Sequence, residues 1–250
     1  MTVRELSSTT AVVTGASRGF GRATAIALAG RGAHVVGIAR SEPSLEQLRQ
    51  ELGDRFEFEV ADVADPSLPE RLLAQHQPQI VVLNAGATPV AAPLSEQTWE
   101  TFSTNWQTDV RQAFNFARAS LLAPLDPGSV VVMISSAAAL RGSPLSGGYA
   151  GAKATVKFIS SYATAEAESR SLGLRFVAIL PMLTPATDLG AAGVAAYAER
   201  AGITVEAFQD QLAPILTPEH LAKTIADVVT DDSYSEAAYL LTGTELCPVT

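Results

Sequence analysis

Cysteine, histidine and charged residues are scarce in this sequence, and each shortage excludes a class of protein. The one cysteine, Cys247, has no partner for an internal disulfide, and the three histidines are too scattered to form a zinc site. Lys and Arg number 17 against 26 Asp and Glu, which gives a net charge of −9 without any basic run. Because nucleic-acid-binding domains carry a basic excess, we expect no nucleic-acid partner and no metal.

Long apolar runs are also missing. No stretch approaches the roughly 18 apolar residues of a membrane span, and residues 1–10 lack the apolar segment of a signal peptide. These absences predict a cytoplasmic protein that does not contact membranes. Charged residues make up only 17% of the chain and the mean hydropathy is +0.19, which argues against disorder.

Short β-branched runs alternate with segments of helical composition. The predicted strands are 10–14, 33–39, 56–61, 80–83, 129–135, 174–180 and 238–242, and the predicted helices are 21–31, 45–52, 66–75, 95–122, 149–172 and 218–229. This alternation is typical of β-α-β units, and continuously apolar strands indicate that helices cover both faces of the sheet. We therefore predict an α/β fold, with a single doubly wound Rossmann-type domain over residues 1–250 and a mostly parallel seven-stranded sheet flanked by helices.

The least regular region is predicted at 181–214, which contains Pro181, Pro185 and Pro214. A long irregular segment inside a compact domain is often functional. We expect it to form a lid over the substrate.

A glycine cluster follows the first predicted strand. The segment Thr14-Gly-Ala-Ser-Arg-Gly-Phe-Gly21 leads directly into a helix. Glycines at such a turn let the backbone approach a pyrophosphate, which the helix N-terminus holds through its free N–H groups and dipole. The spacing is G-x-x-x-G-x-G rather than G-x-G-x-x-G, and a sharp turn that binds no ligand would also explain the glycines.

That spacing resembles the short-chain dehydrogenase/reductase family, and other family segments follow in order along essentially the whole chain. The Asn-Ala-Gly after the fourth strand is 84–86, and the aspartate that contacts adenine is Asp62. The Tyr-x-x-x-Lys segment is Tyr149 to Lys153, and the partner serine thirteen residues upstream is Ser136. The resemblance implies an oxidoreductase that uses a nicotinamide dinucleotide.

The charge near the second strand favours NADP(H) as the cofactor. That strand ends Ile38-Ala39-Arg40-Ser41 without the acidic residue typical of NAD sites, and Arg18 adds a second cation on the same side. Two guanidinium groups would hold a 2′-phosphate through charge-assisted hydrogen bonds. Alternatively, Arg40 is a solvated residue paired with Glu42. The residues expected to bind the cofactor are Gly15, Ser17, Arg18, Gly19, Phe20, Gly21, Arg40, Ser41, Asp62, Val63, Asn84, Ala85, Gly86, Tyr149, Lys153, Pro181, Thr184 and Thr187.

Tyr149 and Lys153 lie four residues apart on a predicted helix, so their side chains project from one face. A neighbouring ammonium favours the phenolate form of a tyrosine and makes it an effective proton donor near neutral pH. We expect Tyr149 to protonate a carbonyl oxygen that Ser136 hydrogen-bonds. The resemblance implies that Lys153 also holds the nicotinamide ribose.

The resemblance further implies an asparagine in the helix before the fifth strand, where it holds a water that links the lysine to a proton relay. Alignment on residues 114–118 places Asp109 there, whereas alignment on Trp99 falls near Asn105, about one helical turn earlier. We favour Asp109 and expect it to preserve the relay in altered form, and Asn105 can share the role. A carboxylate accepts hydrogen bonds but does not donate them, and it would partly neutralise the lysine.

Two further departures concern the substrate side. The family's Pro-Gly after the sixth strand is Pro181-Met182 here, and the threonine that contacts the nicotinamide is displaced, which leaves Thr184 or Thr187. Met182 fills space that glycine leaves open, so we expect a narrower or more apolar pocket. Its candidate lining residues, each of which would also fit a core position, are Leu140, Leu145, Met182, Leu183 and Leu189.

The favoured function is a carbonyl reductase, an NADP(H)-dependent oxidoreductase that interconverts a ketone or aldehyde and an alcohol. A 3-oxoacyl thioester reductase of fatty-acid or polyketide type shares every motif, but it would need a basic patch for its carrier protein. Only scattered arginines, Arg111, Arg118 and Arg141, lie near the expected cleft. A third alternative is a cofactor-binding sensor that has lost catalysis, against which the retained serine, tyrosine and lysine argue.

The resemblance also implies a homodimer or homotetramer, assembled through the two long helices 95–122 and 149–172. Trp106, Phe114 and Phe116 are candidate contact residues, although packing inside the subunit would explain them equally well.

Overall fold

A single eight-stranded sheet organises the computed structural model, which describes residues 6–249. The strands are β1 (Thr10–Thr14), β2 (His34–Ala39), β3 (Phe56–Val60), β4 (Ile80–Leu83), β5 (Val130–Ile134), β6 (Arg175–Pro181), β7 (Ala238–Leu241) and β8 (Leu246–Pro248). Their order is β3-β2-β1-β4-β5-β6-β7-β8, and all neighbours are parallel except β7 and β8. The predicted fold class is confirmed, but the count of seven strands missed the three-residue antiparallel β8.

Ten α-helices connect these strands within residues 6–249. They are α1 (Gly19–Gly30), α2 (Glu42–Leu52), α3 (Leu68–His76), α4 (Trp99–Asn105), α5 (Arg111–Leu122), α6 (Ala138–Arg141), α7 (Gly147–Ser169), α8 (Asp188–Ala201), α9 (Val205–Gln211) and α10 (Pro218–Thr230). Short 3₁₀ turns occupy Gly53–Arg55 and Leu94–Glu96, and a π-helix spans Trp106–Val110. None of these helices is long and apolar enough to cross a membrane.

The sheet is apolar on both faces because two core layers enclose it. Val13 packs into one buried cluster with residues of α1, α2 and α10, whereas its neighbour Val12 packs into the other with residues of α3, α5 and α7. Successive side chains of a strand point to opposite faces, so a doubly covered strand must be apolar at every position.

The strand order reverses between β1 and β4, which are paired in the middle of the sheet. In open parallel sheets, ligands bind in the crevice at the carboxyl ends of the strands where the order reverses. This topology brings the loops after β1, β2, β4 and β5 to one edge of the sheet.

The single helix expected over 95–122 is wrong, because the π-helix Trp106–Val110 separates α4 from α5. A π-helix has a wider turn than an α-helix and often marks a functional site. Trp99 and residues 114–118 lie on opposite sides of this π-helix, so alignments on these two anchors need not share one α-helical register.

The region 181–214 is more regular than expected, since it contains α8 and α9. Thr187 Oγ1 accepts a hydrogen bond from Gly190 N at 3.1 Å and caps α8, and Thr204 Oγ1 caps α9 through Ala207 N at 3.2 Å. Alanine, the strongest helix former, is frequent in α8 and outweighs the flanking prolines. The lid role of this region stays a prediction.

The expectation that residues 1–10 lack a signal peptide falls partly on residues 1–5, which lie outside the described residues.

Candidate active site

A cavity of about 820 Å³ opens at the carboxyl edge of the sheet. The residues predicted for catalysis and cofactor binding line it, except Gly21 and the alternative relay residue Asn105. Residues that the sequence analysis missed also line it, among them Ser44, Thr108, Ser146, Gly193 and Tyr197. Most of these residues belong to α8 or to the loop before α7, and no sequence motif marks either segment as part of the site.

The glycine-rich loop needs its glycines for two different reasons. Gly15 and Gly19 have positive φ angles of 67° and 52°, which favour glycine, and a Cβ on Gly15 would lie 2.8 Å from Asn84 Nδ2. A Cβ on Gly21 would lie only 2.2 Å from Gly15 O. Gly21 therefore acts by close packing beneath the loop, which explains why it does not line the cavity.

Thr14 joins the loops that follow β1 and β4. Its Oγ1 accepts hydrogen bonds from Asn84 N at 2.9 Å and Ala85 N at 3.1 Å and donates to Val82 O at 3.3 Å. Asn84 Nδ2 donates back to Thr14 O at 3.1 Å. These bonds fix the floor of the cavity at the point where the strand order reverses.

The two predicted phosphate-binding arginines have different surroundings. Arg40 is exposed at the end of β2 and forms no ion pair with any residue of 6–249, so the alternative pairing with Glu42 is absent. Arg18 Nη1 lies 2.8 Å from Asp188 Oδ2, and both side chains are largely exposed. Ser41 Oγ and Ser44 Oγ lie 3.0 Å apart beside Arg40.

Lys153 is buried between the tyrosine and the aspartate. Its Nζ donates to Ile134 O at 2.9 Å, lies 2.9 Å from Asp109 Oδ2, and sits 5.6 Å from the centre of the Tyr149 ring. Burial lowers the pKa of Lys153, but electrostatic interactions with Asp109 and with the Tyr149 side chain, and the hydrogen bond to Asp109, oppose this effect and leave the pKa above its ordinary value. The lysine therefore carries its positive charge at neutral pH.

Asp109 and Asn105, the two candidates for the asparagine that the resemblance implies, lie next to each other in the structure. Asp109 is 2% exposed, and its Oδ1 accepts from Ala87 N at 2.9 Å. Asn105 Nδ2 donates to Ala87 O at 2.6 Å and to Asp109 Oδ1 at 3.4 Å. The contact of Asp109 with Lys153 leaves no room for a water between them, and a Cβ on Gly86 would lie 2.9 Å from Asp109 Oδ2.

Ser136 lies at the mouth of the same cavity, two residues beyond β5. Its Oγ accepts a hydrogen bond from Ala138 N at 3.2 Å, so its hydroxyl proton remains able to donate to a ligand. The preceding residue, Ser135, donates from Oγ to Lys153 O at 2.7 Å and ties β5 to α7.

The two candidate threonines are not equivalent. Thr184 is buried, and its Oγ1 donates to Leu216 O at 2.5 Å. Thr187 Oγ1 accepts from Gly190 N as the cap of α8, which leaves its proton able to donate into the cavity. Of the expected apolar lining, Leu145, Met182, Leu183 and Leu189 face the cavity. Leu140 does not, because it is exposed on the surface of α6.

Comparison with known proteins decides the family. Residues 9–197 match the family described as short chain dehydrogenase. The chain belongs to the short-chain dehydrogenase/reductase family. This membership confirms the resemblance inferred from the glycine spacing, the Asn-Ala-Gly segment and the Tyr-x-x-x-Lys segment.

Curated relatives in this family include reductases. A 3-oxoacyl-(acyl-carrier-protein) reductase of Haemophilus influenzae is 30% identical over 244 residues, which cover 94% of each chain. L-xylulose reductase of Mesocricetus auratus is 32% identical over 130 residues, 51% of this chain, and the match spans about half, 53%, of that enzyme. The structure of L-sorbose reductase from Gluconobacter frateurii, complexed with NADPH and L-sorbose, has a TM-score of 0.80 at 23% identity and covers 96% of this chain and 98% of that one.

Large apolar side chains of this dehydrogenase/reductase are exposed on α5 and α7, the helices expected to form subunit contacts. Phe114 is 55% exposed and Phe158 is 61% exposed, and Phe158 stacks on Tyr162 with ring centres 5.8 Å apart. Phe116 is fully buried in the core, so packing inside the subunit explains this residue.

Proposed function

We propose that this protein is an NADP(H)-dependent oxidoreductase that interconverts a ketone or aldehyde and an alcohol. The observation that carries the proposal is the convergence of Ser136, Tyr149 and Lys153 on one cavity that also contains the glycine-rich loop. A proton donor, an oxygen-binding hydroxyl and a nucleotide cradle are the parts that carbonyl reduction requires.

The residues at the nucleotide end fit a dinucleotide. Gly15 and Gly19 carry no side chains, so the backbone of the loop is open to a ligand. No side chain caps the N-terminus of α1, so the N–H groups of its first turn are free to bind a pyrophosphate. When bound, the nicotinamide supplies or accepts the hydride. Thr187, whose Oγ1 accepts from Gly190 N and keeps its proton, would donate a hydrogen bond to its carboxamide.

The chain's own residues handle the proton. Tyr149 donates its phenolic proton to the carbonyl oxygen, and the Ser136 hydroxyl donates a hydrogen bond to the same oxygen. The Lys153 ammonium, 5.6 Å from the ring centre, stabilises the phenolate that remains. Asp109 holds this ammonium in place and moderates its charge.

NADP(H) is proposed over NAD(H) because Arg40 lacks an ion-pair partner within the described chain and lines the cavity beside Ser41 and Ser44. A 2′-phosphate would occupy this position beside Arg40, with the largely exposed Arg18 as a second cation near it. The NADPH in the L-sorbose reductase complex agrees with this choice. We expect Arg40→Ala to raise the KM for NADPH about tenfold or more and to leave the KM for NADH unchanged. An equal effect on both cofactors would exclude a phosphate contact.

A second candidate is a 3-oxoacyl thioester reductase, favoured by the match to the Haemophilus influenzae enzyme over 94% of the chain. The three candidate arginines are dispersed, because only Arg141 lines the cavity and Arg118 lies 3.6 Å from Glu70. A carrier-bound 3-oxoacyl thioester that is reduced much faster than its free short-chain analogue would favour this candidate.

The region 181–214 and the exposed faces of α5 and α7 complete the proposal. We expect α8 to close over the substrate as a lid, since it lines the cavity through residues such as Gly193 and Tyr197. We also expect the exposed faces of α5 and α7 to pair in a homodimer or homotetramer.

The test of the proposed function is NADPH oxidation against a panel of ketones and aldehydes. The wild type should reduce at least one of them, and Tyr149→Phe should lose about 10² to 10⁴ in kcat while it still binds the cofactor. Undiminished turnover by Tyr149→Phe would refute the role of this tyrosine. Cofactor binding without turnover of any carbonyl would favour the sensor alternative.

A further inference from the structure

The cavity contains a cation that the proposed function does not use. The ionisable side chains that line it, apart from Tyr149 and Tyr197, are Arg18, Arg40, Arg141 and Lys153, opposed by Asp62, Asp109 and Asp188. Two ion pairs, Arg18 with Asp188 and Lys153 with Asp109, neutralise four of them. Asp62, Arg40 and Arg141 remain. Asp62 Oδ1 accepts from Ala64 N in its own turn at 2.9 Å, and neither arginine forms an ion pair inside the described part of the chain.

Arg40 and Arg141 lie in different parts of the cavity. Arg40 follows β2, whereas Arg141 ends α6, which begins shortly after β5. Because β1 and β4 separate β2 from β5, the ends of the two strands are about 14 Å apart at the usual strand spacing. The phosphate assigned to Arg40 is therefore too distant to be the natural partner of Arg141.

Arg141 belongs to the reacting end of the cavity. Its helix α6 starts where Ser136 Oγ accepts from Ala138 N, and it packs against α7, which carries Tyr149. Helix α6 is a single turn, with a rise of about 5 Å, so Arg141 lies about one helical turn beyond Ala138. An anion held there would be separated from the reacting carbonyl by several bonds.

Neutral residues follow Arg141 along the chain. Leu145 and Ser146 line the cavity, as do small residues of α8 such as Gly193. Ser146 Oγ lies 2.7 Å from Ser143 Oγ, which also contacts the Tyr197 hydroxyl, so the local hydroxyl groups bond one another and join α8 to this loop. Arg141 is exposed to solvent although it lines the cavity, so its guanidinium is accessible to a ligand.

We propose that Arg141 binds an anionic group of the substrate, a carboxylate or a phosphate, at the end remote from the carbonyl that is reduced. The planar guanidinium matches both groups through two parallel hydrogen bonds. The inference rests on the proposed function and narrows its substrate class to oxo compounds with an acidic end and an apolar spacer. Such a spacer would contact Leu145 and the small residues of α8.

The test compares 6-oxoheptanoate with its methyl ester and with a keto alcohol phosphate monoester of equal length. We expect the wild type to show a kcat/KM about ten to a hundred times higher for an anion than for the neutral ester. The two anionic probes separate a carboxylate-binding site from a phosphate-binding site. Arg141→Met, which keeps the apolar stem, should lose this preference and retain ester reduction.

Arg111→Met is the matched control, because it removes one positive charge from an exposed position outside the cavity. It should keep the full preference for the anion. Equal loss of acid and ester reduction in Arg141→Met, or an unchanged preference, would overturn the inference.

A binding measurement separates this inference from the proposed function. In the NADP⁺-loaded Tyr149→Phe variant, calorimetry should show that 6-hydroxyheptanoate binds at least about tenfold more tightly than its methyl ester. Combining this variant with Arg141→Met should abolish the difference. Tight anion binding, together with no turnover of any ketone or aldehyde by the wild type, would refute the proposed function alone. Equal binding of acid and ester would refute the Arg141 contact alone.

Discussion

Replacing Asp109 with asparagine keeps the shape of the side chain and removes the charge that faces Lys153. The ammonium is 5.6 Å from the centre of the Tyr149 ring, so at an effective dielectric constant of about 20 it stabilises the phenolate by about 3 kcal/mol. Asp109 Oδ2 lies 2.9 Å from the same Nζ and therefore no more than about 8.5 Å from the ring centre, so it opposes this by about 2 kcal/mol. Removing the carboxylate should therefore move the midpoint of the pH–rate profile to lower pH.

The effect of this shift differs between the two directions of the reaction, because they need different protonation states of Tyr149. Reduction requires the protonated tyrosine, so Asp109→Asn should lose its reducing activity at lower pH than the wild type does. Alcohol oxidation requires the phenolate and should begin at lower pH. The assay is kcat/KM in both directions from about pH 6 to about pH 10.

Glu70→Gln is the control, because it removes an exposed carboxylate that faces Arg118 on the protein surface. Its pH midpoint should match that of the wild type. A midpoint for Asp109→Asn that is unchanged or higher would refute the assignment of Asp109 as the residue that moderates Lys153.

The same variant tests the ion pair through stability. Removing one partner of a buried pair costs about 3–5 kcal/mol, and we expect the lower end because the amide oxygen still accepts from Lys153. Lys153 has a raised pKa in the folded protein, so its contribution is fully present below the ordinary lysine value and is lost as pH rises through the folded value. The loss should therefore be constant through neutral pH, as measured by urea denaturation of Asp109→Asn. Adding Lys153→Met should recover part of it, since no unpaired charge then remains buried.

Two further predictions concern packing and assembly. Gly21→Ala should weaken cofactor binding and lower the free energy of unfolding by about 1–3 kcal/mol, because its Cβ would meet Gly15 O at 2.2 Å. Gly30→Ala on the same helix meets nothing within 4 Å and should be tolerated, and calorimetric NADPH titration with urea denaturation compares the two. Phe158→Glu should shift the protein toward a smaller species in sedimentation because it charges an exposed apolar face of α7, whereas Leu94→Glu, at a residue 78% exposed, should not. Equal effects within either pair of variants would contradict the reasoning.

The sequence predicted the fold because the signals for parallel strands and the nucleotide loop are local. Val12 and Val13 are both apolar, which alone indicates a strand covered on both faces, and the structure places them in separate core layers. The helix α8 was missed because its flanking prolines were weighted above its alanines. No local pattern announced β8, whose three residues depend on pairing with β7.

The sequence could not predict which of Asp109 and Asn105 contacts Lys153, because that depends on the three-dimensional packing of two helices. Both residues were candidates for one position, and only the π-helix Trp106–Val110 and the packing of α7 show that one contacts Lys153 while the other supports it. Arg141 likewise appears in the sequence as one scattered arginine among several. Its significance depends on which other charges of the cavity are already paired.

The most direct measurement is the fate of a label carried by the cofactor. With NADPH deuterated on the transferred C4 position and a ketone that the enzyme reduces, mass spectrometry should find one carbon-bound deuterium in the alcohol for each NADPH oxidised. Tyr149→Phe should reduce this transfer by about 10² to 10⁴. Cofactor binding without deuterium in any product, or full transfer by Tyr149→Phe, would contradict the account.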